Sequence, residues 1–210
     1  MTQMPFTYRM LALAVLAAAA GASASCGDVA RGGQSPVYLV LDNLQARRGN
    51  TTQLANTLQS DVITNVTSPA PCSAATPCAT VFNDVGVATF SLALKDLSNP
   101  AATTPTTNNT VTLTRYRVQY RRADGRGTPG VDVPYPFDGA ATITIPSTGA
   151  VNFELVRHVA KEEAPLVQLR DNPNVITTIA DVTFYGQDRV GNDVMVSGSI
   201  LIDFGNFGDQ

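Results

Sequence analysis

Val151-Asn152-Phe153-Glu154-Leu155-Val156-Arg157-His158-Val159 opens by alternating apolar and polar residues. Successive side chains of an extended chain point to opposite faces. Val151, Phe153 and Leu155 therefore share one face, and Asn152, Glu154 and His158 take the other. The same pattern recurs on both sides of this stretch. Towards the C-terminus, Val194, Val196, Ile200, Ile202 and Phe204 share a face with Gly198 among them, and Val182 and Phe184 alternate with Asp181, Thr183 and Tyr185. Upstream, strands are predicted near 37–41, 62–66, 87–94, 111–122 and 142–145, the last with Ile143 and Ile145 inward. Helical periodicity is nearly absent. The stretch 51–60 is ambiguous, and 161–169 leaves room for a short helical turn. About eight strands separated by turn-rich loops predict an all-β chain, an antiparallel β-sandwich with long loops. Two of those loops, 67–80 and 98–110 (SNPAATTPTTNNT), are rich in Pro, Thr and Asn and are read as solvated excursions.

One hairpin carries a resemblance. Asp188-Arg189-Val190-Gly191-Asn192 followed by Asp193-Val194 resembles the last hairpin of bacterial Ig-like and fibronectin-type modules. There a strand ends in Asp-x-x-Gly-Asn and the next begins with an apolar residue. Gly and Asn tolerate positive φ in such a turn, and the Asp side chain caps backbone N–H groups. Tyr116-Arg117-Val118-Gln119-Tyr120-Arg121 likewise resembles the third strand of a fibronectin-type sandwich, which implies Tyr116, Val118 and Tyr120 towards the core. The resemblance implies an Ig-like or fibronectin III-like architecture and no activity, because such modules host unrelated functions.

The N-terminus addresses the chain. Arg9 is the sole charged residue before Asp28 and precedes the apolar run Met10 to Ala20, followed by small residues and Cys26. A positive n-region, a short apolar h-region and a small-residue exit describe a secretory signal peptide over residues 1–25. The run is too short to span a bilayer, which takes about 20 apolar residues. Ser23-Ala24-Ser25-Cys26-Gly27 resembles the lipobox of bacterial lipoproteins, with Ser23 where that family usually carries Leu. The resemblance implies a diacylglyceryl group on Cys26, which becomes the new N-terminus. The rival is cleavage after Ala24, which leaves Cys26 near a secreted N-terminus as a thiol. The remaining cysteines, Cys72 and Cys78, lie in one short Pro-flanked stretch, and in an oxidising compartment they pair most simply with each other. That pairing leaves Cys26 over, as lipidation expects. A loop this short makes the bridge worth about 2 kcal/mol at most. Zinc needs about four ligands, and His158 is the only histidine. The expected organisation is a signal peptide (1–25), a lipidated N-terminus and flexible tether (26–35), and one sandwich domain (36–210).

Charge narrows the partners. Removing residues 1–25 removes Arg9 alone among charged residues, so the net charge moves from −3 to −4. This argues against nucleic acid as a partner. No second segment approaches membrane length, so the expected membrane attachment is through the N-terminal lipid, at the periplasm-facing or cell-surface side of the envelope.

Candidate chemistry is sparse. Gly125-Arg126-Gly127-Thr128-Pro129-Gly130 matches the spacing of the dinucleotide fingerprint. That motif must open a helix, and Pro134 and Pro136 follow too closely for one. His158 reads as a surface imidazole hydrogen-bonded to Glu154. Lys161 to Pro165 reads as a solvated loop carrying Glu162 and Glu163. Asp181, Asp188, Asp193 and Asp203 read as capping groups at turns and strand ends, with a weak calcium site among them as the alternative. The sharper feature is an arginine stripe: Arg115, Arg117 and Arg121 on one strand face, with Arg122 and Arg126 close behind. It is either a solvated outer face or a docking surface for an acidic glycan, a lipid headgroup or a protein carboxylate. Tyr135 and Phe137 on the nearby Pro-rich loop are candidate apolar anchors for that partner. No catalytic residue, metal ligand or cofactor is expected. The expected role is a non-enzymatic accessory, adhesion or scaffold module with an envelope protein or glycan as partner. The alternative is a carbohydrate- or calcium-binding surface module, in which Tyr135 or Tyr185 substitutes for the absent Trp as a stacking platform.

Overall fold

The computed structural model describes residues 34–95 and 104–208. The predicted signal peptide, Cys26 and most of the tether lie outside the described residues, as does part of the 98–110 loop. Ten strands are present among the described residues: β1 (Val37–Arg47), β2 (Thr57–Asp61), β3 (Thr64–Val66), β4 (Cys78–Thr80), β5 (Asp84–Leu94), β6 (Val111–Arg122), β7 (Phe137–Ile145), β8 (Thr148–Val156), β9 (Ile176–Asp188) and β10 (Asp193–Gly205). A short helix, α1 (His158–Glu162), and a 3-10 turn (Leu166–Leu169) link β8 to β9.

The chain is an all-β sandwich. One sheet has the order β1-β5-β8 and the other β2-β10-β9-β6-β7, and β3 and β4 form a small separate ribbon. Apolar side chains from alternate positions of both sheets meet between them. Phe90 of β5 and Phe153 of β8 stand edge-on to Phe184 of β9, with ring centroids 5.0 and 5.2 Å away. Tyr116 of β6 closes the cluster at 5.1 Å from Phe153. Val118, Val182 and Ile202 are fully buried beside it.

The pairing is antiparallel throughout both sheets except at one edge, where β2 runs parallel to β10. The antiparallel sandwich expected from the sequence is present, with this single parallel pair at its edge among the described strands. The ambiguous 51–60 stretch supplies that strand from Thr57 onward. The predicted strand at 62–66 starts only at Thr64, and Val62 is buried at the bend between β2 and β3. β1 runs on to Arg47, β5 starts early at Asp84, and β7 starts early at Phe137. The loop read as 67–80 is shorter, since Cys78–Thr80 pairs with β3. Cys72 and Cys78 are bridged, with an S–S distance of 2.01 Å. Ser35, assigned to the flexible tether, is buried against the fold.

The register of β6 shifts at a bulge between Leu113 and Arg115, seen against both of its neighbours. A bulge inserts one residue and reverses the parity of the strand beyond it. Val111 and Leu113 point inward before it, and Tyr116, Val118 and Tyr120 after it. Arg115, Arg117 and Arg121 are thereby turned outward together.

Candidate functional site

The arginine stripe lies on the outer face of the five-stranded sheet, among carboxylates from neighbouring strands. Arg117 Nη1 is 2.8 Å from Asp138 of β7, and Arg115 is 3.8 Å from the same carboxylate. Arg121 Nε is 2.8 Å from Asp181 of β9, which also accepts from the Ser199 hydroxyl of β10. At the end of β6 and just past it, Arg122 and Arg126 share Asp124, and Arg126 also faces Asp132. Hydrogen bonds from Arg126 hold the Asp124 carboxyl below its ordinary range, and Asp124 in turn raises Arg126. Threonine and serine hydroxyls continue the ladder, Thr183 with Ser197 and Thr112 with Thr144. Every arginine of the stripe thus has an acidic partner on this surface. Asp181 sits well inside β9 and pairs with Arg121, rather than capping a turn.

Tyr135 and Phe137 sit in different surroundings. Tyr135 is 56% exposed. Phe137 is half-buried, edge-on to Tyr116, with the Arg157 guanidinium 4.0 Å above its ring. The glycine-rich stretch 125–130 is a turn and loop with no helix, so it has no pyrophosphate cradle. In the β9–β10 turn, Asp188 Oδ1 accepts from the backbone N–H groups of Val190 and Asn192, and Oδ2 accepts from the Asn192 amide. Gly191 alone takes a positive φ there, +85°, and Asn192 contributes its side chain instead.

One stripe residue reaches a concave site. A groove of about 660 Å³ runs between the start of β1 and the β9–β10 hairpin. Its walls include Tyr38, Lys95, Arg115, Tyr185, Gln187, Asp193 and Met195. The Lys95 ammonium stands 4.9 Å from the Tyr38 ring centroid, and the Arg115 guanidinium lies 4.0 Å over Tyr185. Such stacks orient both partners. Gln187 Nε2 donates to Asp193 Oδ1 at 3.0 Å. Tyr38 and Met195 are 58% and 71% exposed. Arg115 and Tyr185 are legible as candidates in the sequence. Tyr38 and Lys95 are not, because only the packing of β1 and the end of β5 beside the hairpin brings them there.

A second cluster escaped sequence reading altogether. Lys161, expected in a solvated loop, is buried with Asp84; both side chains are 1% exposed, and Nζ lies 2.8 Å from Oδ2. The Ser60 hydroxyl donates to the same oxygen at 2.6 Å, and the Gly49 N–H donates to Oδ1 at 3.0 Å. Burial raises the Asp84 carboxyl above its ordinary value, against the pull of Lys161, Ser60 and Gly49. Burial also raises nearby Asp61, whose carboxylate accepts from Phe207 N–H and the Thr64 hydroxyl. Tyr120 is pushed up too, chiefly by burial, and donates to the Leu155 carbonyl at 2.6 Å. Glu162 and Glu163 do face solvent. His158 departs from expectation. It leaves the strand to begin α1, and its Nδ1 is 3.0 Å from Asn83 Oδ1. Asn83 in turn donates to Glu154 at 2.6 Å, so it stands between the two residues expected to touch. The only warning in the sequence is that Asp84 directly precedes an alternating apolar run.

No family model, curated protein or solved structure matches the chain. Among the described residues, no group of three or more His, Cys, Asp or Glu is placed to hold a metal ion. No helix among them is long and apolar enough to cross a membrane.

Proposed function

We propose that the chain is an exported lipoprotein, anchored through Cys26, whose sandwich is a non-enzymatic interaction module of the cell envelope. The observation that carries this reading is a division of labour between polar groups. The buried ones, Asp84, Lys161 and Ser60, are bonded to one another away from any surface, while the exposed concavity offers two aromatic rings, an amide and a guanidinium. Rings and fixed donors favour recognition, and the groove holds no histidine to act as a general base. An envelope protein is the expected occupant, with Tyr38 and Tyr185 as its anchors and Arg115 facing a carboxylate.

The second reading, a saccharide in the same groove, is favoured by the two tyrosine rings beside hydrogen-bonding Gln187 and Asp193. In-cell photo-crosslinking from position 195, with position 199 on the polar ladder as control, tests the proposal. One recurrent protein captured from position 195 alone supports the protein-partner reading. No protein above the control, with saccharide-dependent thermal stabilisation of the purified chain, supports the second.

A further inference from the structure

A fully buried lysine is rare, because an ammonium leaves water at high cost unless it is paired. Lys161 is reached from α1, on the crossover between the sheets, and meets Asp84 at the first position of β5. Each oxygen of that carboxylate has a distinct partner. Oδ1 is held by the Gly49 N–H, and Oδ2 by both the Ser60 hydroxyl and the lysine nitrogen. Only glycine brings that N–H so close: a Cβ on Gly49 would lie 2.1 Å from the Asn83 carbonyl oxygen. An amine nitrogen therefore sits beside a carboxyl group, screened from bulk water, with a donor on each carboxyl oxygen.

We propose that Lys161 and Asp84 condense in the folded chain to an intramolecular amide between Lys161 Nζ and Asp84 Cγ. One proton first passes along the hydrogen bond from the ammonium to Oδ2. This gives a neutral amine and a carboxylic acid, the pair that a desolvated site favours over separate charges. The nitrogen lone pair then attacks Cγ, and the negative charge that develops on Oδ1 is met by the Gly49 N–H. Oδ2 leaves as water, carrying its own proton and one from the nitrogen, with the Ser60 hydroxyl placed to relay it. One C–N bond forms, one C–O bond breaks and one water is released, with no change in net charge and no co-reactant. Fixed juxtaposition supplies the driving geometry, since held reactants behave as if enormously concentrated. The raised Asp84 carboxyl works in the same direction. The product would tie α1 to β5 by a bond that reduction cannot open.

Peptide mapping of the full chain by mass spectrometry, after reduction of Cys72 and Cys78, tests this. The expected result is a branched species joining the Asp84 peptide to the Lys161 peptide. It is one water lighter than the two together, and trypsin does not cut after Lys161. Lys161→Arg, which keeps the cation, is expected to yield the linear Asp84 peptide, and Ser60→Ala to lower the branched fraction. Linear wild-type peptides with free Lys161 and Asp84 would overturn the proposal. So would a water loss that maps to Asp124-Gly125 or Asp138-Gly139, where a backbone imide gives the same mass change.

Discussion

Asp188 shows how one carboxylate organises a turn. Burial alone would raise it, but the side chain and backbone of Asn192 and the N–H of Val190 outweigh that and leave it below its ordinary value of 3.8. A carboxyl lowered in the fold stabilises above its unfolded pKa and loses that contribution as pH falls through the folded value. Asp188→Asn is therefore expected to cost about 1.5–3 kcal/mol at neutral pH, the range for hydrogen bonds to a charged group. The difference from wild type should shrink below about pH 4, read from urea denaturation at a series of pH values. Asp84, where it is left as a free carboxyl by Lys161→Met, behaves oppositely. Its carboxyl is raised by burial, so the folded state holds the proton more tightly, and stability due to that proton is lost as pH rises through the folded value. Lys161→Met strands this carboxylate without a cation, at an expected cost of about 3–5 kcal/mol at neutral pH. The deficit should narrow in acid, where Asp84 is neutral. A Lys161→Met chain equally stable at pH 7 would mean that holding Lys161 against Asp84 contributes nothing to the fold.

At the scale of elements, the bulge in β6 decides which side chains the outer face displays. Leu113 and Arg115 are two apart and would share a face in a regular strand, whereas here one is buried and the other exposed. Deleting Thr114 removes the extra outward residue and leaves Val111, Leu113, Tyr116, Val118 and Tyr120 on one face in strict alternation, with Arg115, Arg117 and Arg121 on the other. Cooperative unfolding in urea is expected to survive that deletion, because the same residues stay inward, and Thr114→Ala should stay within about 0.5 kcal/mol of wild type. The ion pairs on this face carry little by comparison. Arg121→Gln removes an exposed pair and is expected to cost about 0.2–1 kcal/mol, less at high salt. Strand identity and inward positions were legible here, because burial on one face imposes a period of two. The bulge leaves only a faint trace in the sequence: inward residues change from odd to even numbers between Leu113 and Tyr116.

Across the whole molecule, the groove joins parts far apart in the chain, and its residues are expected to serve recognition more than folding. Tyr38→Ala combined with Tyr185→Ala should leave cooperative unfolding intact and abolish partner capture from position 195. Retained capture would move the binding surface elsewhere. The all-β class, most strand positions, the Asp188–Asn192 turn and the pairing of Cys72 with Cys78 are all legible from residue order. These rest on local physics: alternation along a strand, turn chemistry, and the short reach of a small loop. The tertiary structure alone decided the parallel pairing of β2 with β10, the acidic partners of the arginines, the meeting of Tyr38 with Tyr185, and the burial of Lys161. Each of these depends on which strands become neighbours and on where a crossover comes to rest. A lysine between polar neighbours reads as solvated until the chain folds back and places Asp84 against it.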